Sequence, residues 1–192
     1  MKKIYLACVA ITFAGTLQAL AQDKGTSTIG ASLGFGTSTE IADFAAEIIT
    51  SPLNTTSAEE TEVGATFGLT YRYAIKNNWN IFADGYYQEI KRTAYNSGGK
   101  IGEADFSYYT VGIGSDYCYL HKGIFKLYSG LAVGYTFEDA SYSGNISSED
   151  DGGFFNFHIN ALGVRVGKKL AGTAEVGFGY RGIINAGISY MF

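Results

Sequence analysis

The stretch IINAGISYMF, residues 183–192, decides the fold class of this chain. Counting back from its end in steps of two gives one apolar face, formed by Phe192, Tyr190, Ile188, Ala186 and Ile184. The residues between them are small or polar, apart from Met191. A period of two is the signature of a β-strand with one apolar side. Such a strand can close a soluble β-sandwich or line a membrane barrel, and the repetition of the pattern along the chain favours the barrel.

The same stretch carries a second pattern, polar–x–Gly–x–x–aromatic–x–aromatic, formed by Asn185, Gly187, Tyr190 and Phe192. It resembles the C-terminal signal by which outer-membrane β-barrels are recognised by their assembly machinery. The resemblance implies that this machinery is a partner of the chain and that it binds through the C-terminal strand.

Residues 1–21 look like a secretory signal peptide. Lys2 and Lys3 form a charged start, residues 4–17 are apolar, and Ala19 and Ala21 occupy the two positions that signal peptidase reads. The apolar run is shorter than the roughly 18 residues expected of a spanning helix. We therefore expect cleavage before Gln22 and a single barrel domain over residues 22–192.

The composition narrows the classes of function. The 192 residues include 26 Gly, 15 Tyr and 13 Phe but only one Pro and one Trp, a mixture that favours strands over disorder. The formal net charge is −4 and no basic cluster is present, which argues against a nucleic acid partner. Once the signal peptide is removed, Cys118 is the one remaining cysteine, so we expect neither an internal disulfide nor a cysteine-based metal site.

Eight segments alternate in the manner of strands, at about 26–36, 61–75, 79–92, 104–120, 124–138, 154–168, 172–181 and 183–192. The third alternates poorly, because Phe82 and Tyr86 share a face with Asp84. In the sixth the apolar phase slips by one residue near Ala161, which predicts a β-bulge. The seventh places Tyr180 on its apolar face.

The second face of these strands is mostly Gly, Ala, Ser and Thr rather than the Lys and Glu of a soluble surface. Small residues suit the inner wall of a narrow barrel, whose large residues then face lipid. Connections at 76–79, 121–123 and 167–171 are short, as periplasmic turns are, while 37–60, 93–103 and 139–153 are long, as external loops are. The external connection at 181–182 is an exception. The pattern predicts an all-β fold, a transmembrane 8-stranded antiparallel up-and-down β-barrel.

With its signal peptide, its Gly- and aromatic-rich strands and its terminal Phe192, the chain resembles the OmpA/OmpX-like, "porin family" outer-membrane β-barrels. The resemblance implies a location in the outer membrane of a Gram-negative-type bacterium, with outer-membrane lipid around the barrel. It implies no particular activity, because fold does not specify function.

Charged residues on the inward face suggest an interior network, formed by Arg72, Asp84, Asp116, Lys126, Arg165 and Glu175. Each lies a few residues from a short turn, so we expect them to gather in the periplasmic half of the barrel and to neutralise one another. Two interpretations are open. The network is either a salt-bridged plug or a gate whose pairs exchange partners to open a narrow pore.

The histidines bear on catalysis. Outer-membrane lipases and acyltransferases use a Ser/His pair, but His158 is flanked on its own face by Asn156 and Asn160, and His121 lies in a turn. We expect a protein that is not an enzyme and binds no cofactor or metal. A lipid-modifying enzyme is the less favoured alternative.

The external loops offer a binding hypothesis. Thr37-Ser38-Thr39-Glu40 reads as a capping box, followed by Ile41, Phe44, Ala45 and Ile48 at helical spacing. Residues 139–153 are acidic, which favours a solvated loop over a weak divalent-cation site. We expect a structural or small, mostly closed pore role, with adhesion to a surface ligand through loops 37–60 and 139–153 as the alternative.

Overall fold

A computed structural model describes residues 24–41, 58–96, 99–144 and 152–192. The strands are β1 (Ser27–Phe35), β2 (Ala58–Val63), β3 (Thr66–Lys76), β4 (Trp79–Asn96), β5 (Gly99–Lys122), β6 (Phe125–Gly144), β7 (Gly152–Gly167), β8 (Leu170–Gly179) and β9 (Ile184–Met191). Both β2 and β3 pair with β4, on either side of Gly64 and Ala65. They therefore act as one interrupted strand of an eight-stranded barrel.

The sheet closes on itself through β1. This strand pairs antiparallel with β3 on one side and with β9 on the other, so Ile29 lies opposite both Tyr71 and Tyr190. Every other neighbouring pair is also antiparallel. A closed ring pairs its strands without leaving an edge, which is the requirement for crossing a membrane with strands. The predicted fold class is confirmed.

The two ends of the barrel differ in their connections. Residues 77–78, 123–124 and 168–169 form two-residue turns at one end. The start of β1 and the last residue of the chain meet at the same end, where the Ser27 amide donates to the Phe192 carbonyl (3.0 Å) and the Phe192 amide donates to the Ser27 carbonyl (2.9 Å). Short turns and termini mark the periplasmic end of such barrels. The opposite end is the external mouth.

The predicted external loop at 93–103 is wrong, because most of it is strand. β4 continues to Asn96 and β5 begins at Gly99, so only two residues separate them. With 18, 24 and 20 residues, β4, β5 and β6 exceed the roughly 9–11 residues that a strand needs to cross a bilayer. These three strands project beyond the membrane as a sheet, whose polar stretches continue the backbone pairing of the barrel.

The outer surface has the layering of a lipid-facing wall. A row of adjacent rings, Tyr87, Tyr109 and Phe137, lies towards the mouth, and a second pair, Trp79 and Tyr117, lies near the periplasmic turns. Between these levels the wall is mainly aliphatic, with Ile113 66% and Val133 63% exposed. An apolar band between aromatic girdles is typical of transmembrane barrels.

The alternation of β4 is poor because two of its large aromatic side chains lie on the inner face of the barrel. Phe82 and Tyr86 point inward with only 6% of their surface exposed, alongside Asp84. Small residues on the neighbouring strands make room for them. Gly114 lies opposite Phe82, and Gly68 lies opposite Tyr86. The register shift of β7 against β8 between Asn160 and Leu162 confirms the bulge expected at Ala161.

The prediction that Tyr180 faces lipid is wrong, because β8 ends at Gly179 and Tyr180 is 3% exposed. Gly179 has φ +135° and Gly182 has φ +99°, conformations that glycine adopts readily. They turn residues 180–182 into the barrel mouth, so both Tyr180 and Arg181 point inward. Among the residues that the structure describes, no helical segment has the length and apolar character needed to cross a bilayer.

Candidate functional site: the charged barrel interior

The middle of the barrel holds an ordered series of ion pairs, which we call the central charge chain: Asp116, Arg72, Glu175, Arg181 and Asp84. Arg72 donates through Nε to Asp116 Oδ2 (3.0 Å) and through Nη2 to Glu175 Oε1 (2.9 Å). Arg181 contacts Glu175 Oε2 through Nη1 (3.4 Å) and Asp84 Oδ2 through Nη2. Acids and bases alternate, so each carboxylate has at least one cation as a neighbour.

Hydroxyl and amide groups complete the bonding of the carboxylates. The Tyr128 hydroxyl donates to Glu175 Oε1 (2.8 Å) and the Tyr180 hydroxyl donates to Asp84 Oδ1 (3.0 Å). Asn80 Nδ2 donates to Asp116 Oδ1. Buried charges are tolerated when they are both paired and hydrogen-bonded, and all three carboxylates meet that condition.

Aromatic rings pack against both guanidinium groups of the chain. The Arg181 guanidinium lies 4.5 Å from the centroid of Phe82, and that of Arg72 lies 5.6 Å from the centroid of Tyr128. Tyr86 and Tyr180 meet edge to face with 5.6 Å between centroids. Since the chain joins β3, β4, β5 and β8, charges and rings together fill the lumen from wall to wall.

Little space is left around this filling. Two polar cavities lined by described residues measure about 30 Å³, at the periplasmic end, and about 10 Å³, between β1, β3, β8 and β9. A single water needs roughly 10–15 Å³ of this kind of volume. The larger cavity therefore admits about two waters and the smaller at most one, far less than a solute channel.

The predicted interior residues separate into two groups. Arg72, Asp84, Asp116 and Glu175 meet in the central charge chain, whereas Lys126 and Arg165 lie closer to the periplasmic turns. Arg165 donates through Nε to Ser189 Oγ (3.1 Å) and through Nη2 to the carbonyls of Lys168 (2.9 Å) and Lys169 (3.1 Å). It thus ties the β7–β8 turn to β9.

Arg181 is the functional residue that the sequence-based network omits. It is 1% exposed and bridges two carboxylates. The alternation of the seventh segment puts Arg181 on the inward phase, but its place beside the external connection at 181–182 kept it out of the network predicted for the periplasmic half. The available signal is the pair of glycines around it, Gly179 and Gly182, which permit the inward turn.

The mouth of the barrel is covered by the start of the connection after β1. A helical turn at residues 38–41 begins at Thr37, whose Oγ1 accepts from the Glu40 amide (3.2 Å) as in a capping box. Glu40 Oε2 accepts from the Gly36 amide (3.0 Å), one residue before the usual partner. Thr37 Oγ1 also donates to Gln88 Oε1 (2.8 Å), and Ser38 Oγ donates to Asn156 Oδ1 (3.2 Å). Phe44, Ala45 and Ile48 lie outside the described residues.

His158 is 2% exposed, and neither ring nitrogen has a hydrogen-bond partner among the described residues. Its ring packs at 5.8 Å from that of Tyr180. This geometry lacks the hydrogen-bonded serine that a Ser/His hydrolase needs. His121 lies near the end of β5, beside the periplasmic turn. Within the described ranges, no group of three or more His, Cys, Asp or Glu residues could hold a metal ion.

The residues of the C-terminal pattern divide between the two faces of β9. Asn185 is buried and its Nδ2 donates to the Arg181 carbonyl (3.3 Å), so it helps to hold the inward turn. A Cβ on Gly187 would lie 2.3 Å from the Ala31 carbonyl oxygen, so this position requires glycine. Tyr190 and Phe192 face outward with 45% and 61% of their surface exposed.

No family model matches the chain, and no curated protein matches it in sequence. Several solved structures match the fold of the chain. The crystal structure of the outer membrane protein OprG from Pseudomonas aeruginosa aligns with a TM-score of 0.58 and 13% identity, over 91% of this chain and 99% of that one. The fold is that of an outer-membrane β-barrel. At this identity the likeness concerns the fold alone.

Two structures of Ail, the attachment invasion locus protein of Yersinia pestis, align less well. One is a complex with the heparin analogue sucrose octasulfate. Each has a TM-score of 0.45 and 16% identity, over 88% of this chain and 100% of that one.

Proposed function

We propose that this chain is an integral protein of the outer membrane with a structural role and a closed interior. The observation that carries the proposal is the central charge chain. It fills the lumen inside a closed ring of paired strands, and the outer face of that ring is the lipid-facing wall. A solute pathway would require these five side chains to separate. Breaking buried pairs leaves charges uncompensated at low dielectric, which is strongly unfavourable. The resting barrel therefore does not conduct.

Single-channel recording tests this proposal. Residues 22–192 would be refolded in detergent and inserted into a planar lipid bilayer, with insertion checked by the heat-dependent mobility shift of a folded barrel on a gel. We expect a folded protein that gives no discrete current steps. Reproducible steps of fixed size would contradict the closed interior and would favour a pore.

The gate hypothesis makes a finer prediction about two arginines. Arg72 belongs to the central charge chain, while Arg165 bonds to Ser189 and to turn carbonyls. If exchange of partners in the chain opens a pore, Arg72→Ala should raise conductance, and Arg165→Ala is the matched control at the periplasmic end. If neither variant conducts, the gate hypothesis fails and the network is a salt-bridged plug.

A second candidate function, surface binding, is favoured by the sheet that projects from the barrel. Beyond the row of Tyr87 and Tyr109, the strands carry charged and polar side chains on an ordered scaffold. The Arg92 guanidinium stacks 4.9 Å from the centroid of Phe106, and Lys91 pairs with Glu89 at 3.1 Å. Rigid sheets position binding groups more accurately than loose loops do.

Truncation separates the two candidates. Removing residues 92–103 shortens the β4–β5 hairpin, and removing residues 41–50 trims the connection after β1. A binding role predicts that bacteria displaying the shortened protein lose attachment to a host-cell layer while the barrel still folds. Unchanged attachment with both truncations would rule out the binding role. A loss of attachment caused by substitutions in the barrel interior, and not by the truncations, would favour the structural role.

We also propose that the assembly machinery binds β9. Tyr190 and Phe192 point outward from the strand and expose their rings, which makes them available to a partner before the barrel closes against β1. Phe192→Ala keeps the backbone hydrogen bonds to Ser27, so it should lower the fraction of barrel assembled in cells while refolding in detergent proceeds as before. Equal assembly of both forms in cells would refute this proposal.

A further inference from the structure

The outer wall of the barrel contains a groove across β3, β4, β5 and β6, with a volume of about 650 Å³ and an almost wholly apolar lining. Ala83 and Ser115 form its floor, because they are small residues on the outward face. Its walls are larger side chains on the two outer strands, Tyr71 and Tyr73 on β3 and Leu131 and Val133 on β6. The register places Ser115 one step and Ala83 two steps from Trp79 towards the mouth. The groove therefore lies in the periplasmic half of the bilayer.

Hydrogen bonds hold the side chains around the groove in place. At its periplasmic end, the Trp79 indole donates through Nε1 to Ser115 Oγ, and this hydroxyl donates to the Asn80 carbonyl (2.9 Å). Ser115 is thus satisfied within the protein and requires no polar partner from the membrane. On the β3 side, the Tyr71 hydroxyl shares a hydrogen bond with Ser27 Oγ (2.8 Å), which draws its ring towards β1 and away from Ala83. The groove is therefore preformed.

Basic residues frame the periplasmic end of the groove. Lys76 is exposed and lies opposite Trp79 in the register, so both side chains are on the outer face. On the far side of the groove, β5 ends at Lys122. Among the described residues, the strand ends and turns at this level carry several lysines and no aspartate or glutamate: Lys24, Lys76, Lys122, Lys168 and Lys169. Lysine at a membrane surface attracts anionic lipid headgroups.

We propose that the groove binds one anionic phospholipid of the periplasmic leaflet, with an acyl chain over Ala83 and the phosphate at Lys76. The inference rests on the location of the barrel in the outer membrane. An apolar furrow within the bilayer that ends beside a cation at its surface matches the two parts of such a lipid. A second copy of the chain fits less well. A two-fold axis would set groove against groove and bring both Lys76 side chains to the same level, where like charges repel.

The fluorescence of Trp79 tests the proposal on the unaltered protein, because its ring lies at the end of the groove. The mature barrel would be inserted into phosphatidylcholine vesicles that contain a small fraction of phosphatidylglycerol or, in a parallel sample, of phosphatidylethanolamine. Both added lipids would carry bromine at the same acyl carbon near the headgroup. We expect stronger quenching by phosphatidylglycerol, and salt should reduce the difference by screening the lysine.

The possible failures of this experiment are distinguishable. Equal quenching by the two brominated lipids would overturn the proposal, because chance contact with lipid has no headgroup preference, and it would leave the membrane location intact. A folded barrel that neither lipid quenches would overturn both the proposal and the membrane location.

A pair of lysine variants locates the phosphate. Native mass spectrometry of the barrel in detergent, with equal amounts of the two lipids, gives the ratio of bound phosphatidylglycerol to bound phosphatidylethanolamine. Lys76→Gln should lower this ratio about fivefold, as expected for one lysine at a membrane surface. Lys169→Gln, an exposed lysine in the β7–β8 turn, should keep the ratio. An unchanged ratio in Lys76→Gln would refute the headgroup assignment.

A pair of alanine variants locates the acyl chain. Ala83→Leu fills the groove while keeping an apolar residue in lipid, so it should lower the amount of bound phosphatidylglycerol. Ala186→Leu, at an exposed outward position of β9, is the matched control and should have no effect. Full binding by a folded Ala83→Leu protein would show that the lipid does not occupy the groove.

Discussion

The two faces of the same strands follow different rules. On the outer face, apolar side chains recur at every second residue except at bulges such as Ala161, and each needs only to be apolar enough for lipid. On the inner face, each side chain must fit particular partners on other strands, as Asp84 fits Arg181 and as Gly68 fits Tyr86. Because lipid is a fluid solvent and the lumen is a packed interior, the outer face tolerates exchange of one apolar residue for another. The inner face does not.

The largest effect should follow from Arg181→Gln, at the centre of the inner face. Asp84 would lose its cation, and Glu175 would keep only Arg72. Breaking a buried pair by removing one partner costs about 3–5 kcal/mol. We expect a loss of that size in the free energy of unfolding, measured by urea titration in lipid vesicles.

A double variant identifies the cause. Asp84→Asn together with Arg181→Gln removes both charges, so its loss should be smaller than the sum of the two single losses. Strict additivity would mean that the two residues are not coupled.

The outer face should respond strongly only to charge. Ile113 lies in the aliphatic belt between the two aromatic levels, so Ile113→Arg places a guanidinium near the bilayer midplane. Such substitutions cost about 2–4 kcal/mol in transmembrane barrels. The same urea titration measures the loss, with Ile113→Val as its control. If the arginine variant were as stable as the valine variant, this face would be exposed to water rather than to lipid.

A matched pair of glycines compares the faces directly. A Cβ at Gly68 would lie 2.1 Å from Cε1 of the Tyr86 ring, which is held by Ser32 and by the packing with Tyr180. A Cβ at Gly172, on the outer face of β8, meets nothing within 4 Å. Gly68→Ala should cost about 1–3 kcal/mol by overpacking, and Gly172→Ala should have almost no effect. Equal stability of the two variants would show that the lumen is loosely packed.

The smallest effect is expected in the projecting sheet. Glu89 and Lys91 form an ion pair at 3.1 Å, with 42% and 54% of their side chains exposed. Exposed pairs are screened by water and salt and contribute little. Glu89→Gln should leave the unfolding midpoint unchanged in the same titration. A clear loss would indicate that this pair is part of a larger interaction outside the bilayer.

The contrast between faces also explains what the sequence could predict. The number of strands and most of the lipid-facing residues follow from a period of two, which a local pattern shows directly. The bulge at Ala161 was also readable, because it reverses the phase. These features depend on the order of residues along one strand.

Other features depend on several strands at once. The inward position of Tyr180, on the same side as Arg181, results from positive φ angles at Gly179 and Gly182, which a pattern of hydrophobicity does not record. The extension of β4 to Asn96 depends on pairing with β5, since its polar residues form strands only because a partner continues beside them. Within the predicted network, the separation of Lys126 and Arg165 from the central charge chain is set by register, which links residues distant in sequence.

The most direct test of the central claim, that the outer face of the barrel lies in lipid, uses the single tryptophan of the chain. Trp79 faces outward near the periplasmic turns and is 46% exposed. Its fluorescence would be recorded in vesicles whose lipids carry bromine at chosen depths. We predict that brominated lipid strongly quenches the Trp79 fluorescence, most when the bromines lie near the headgroups, and that iodide in the aqueous phase quenches it little. Quenching by iodide, with no response to brominated lipid at any depth, would contradict it.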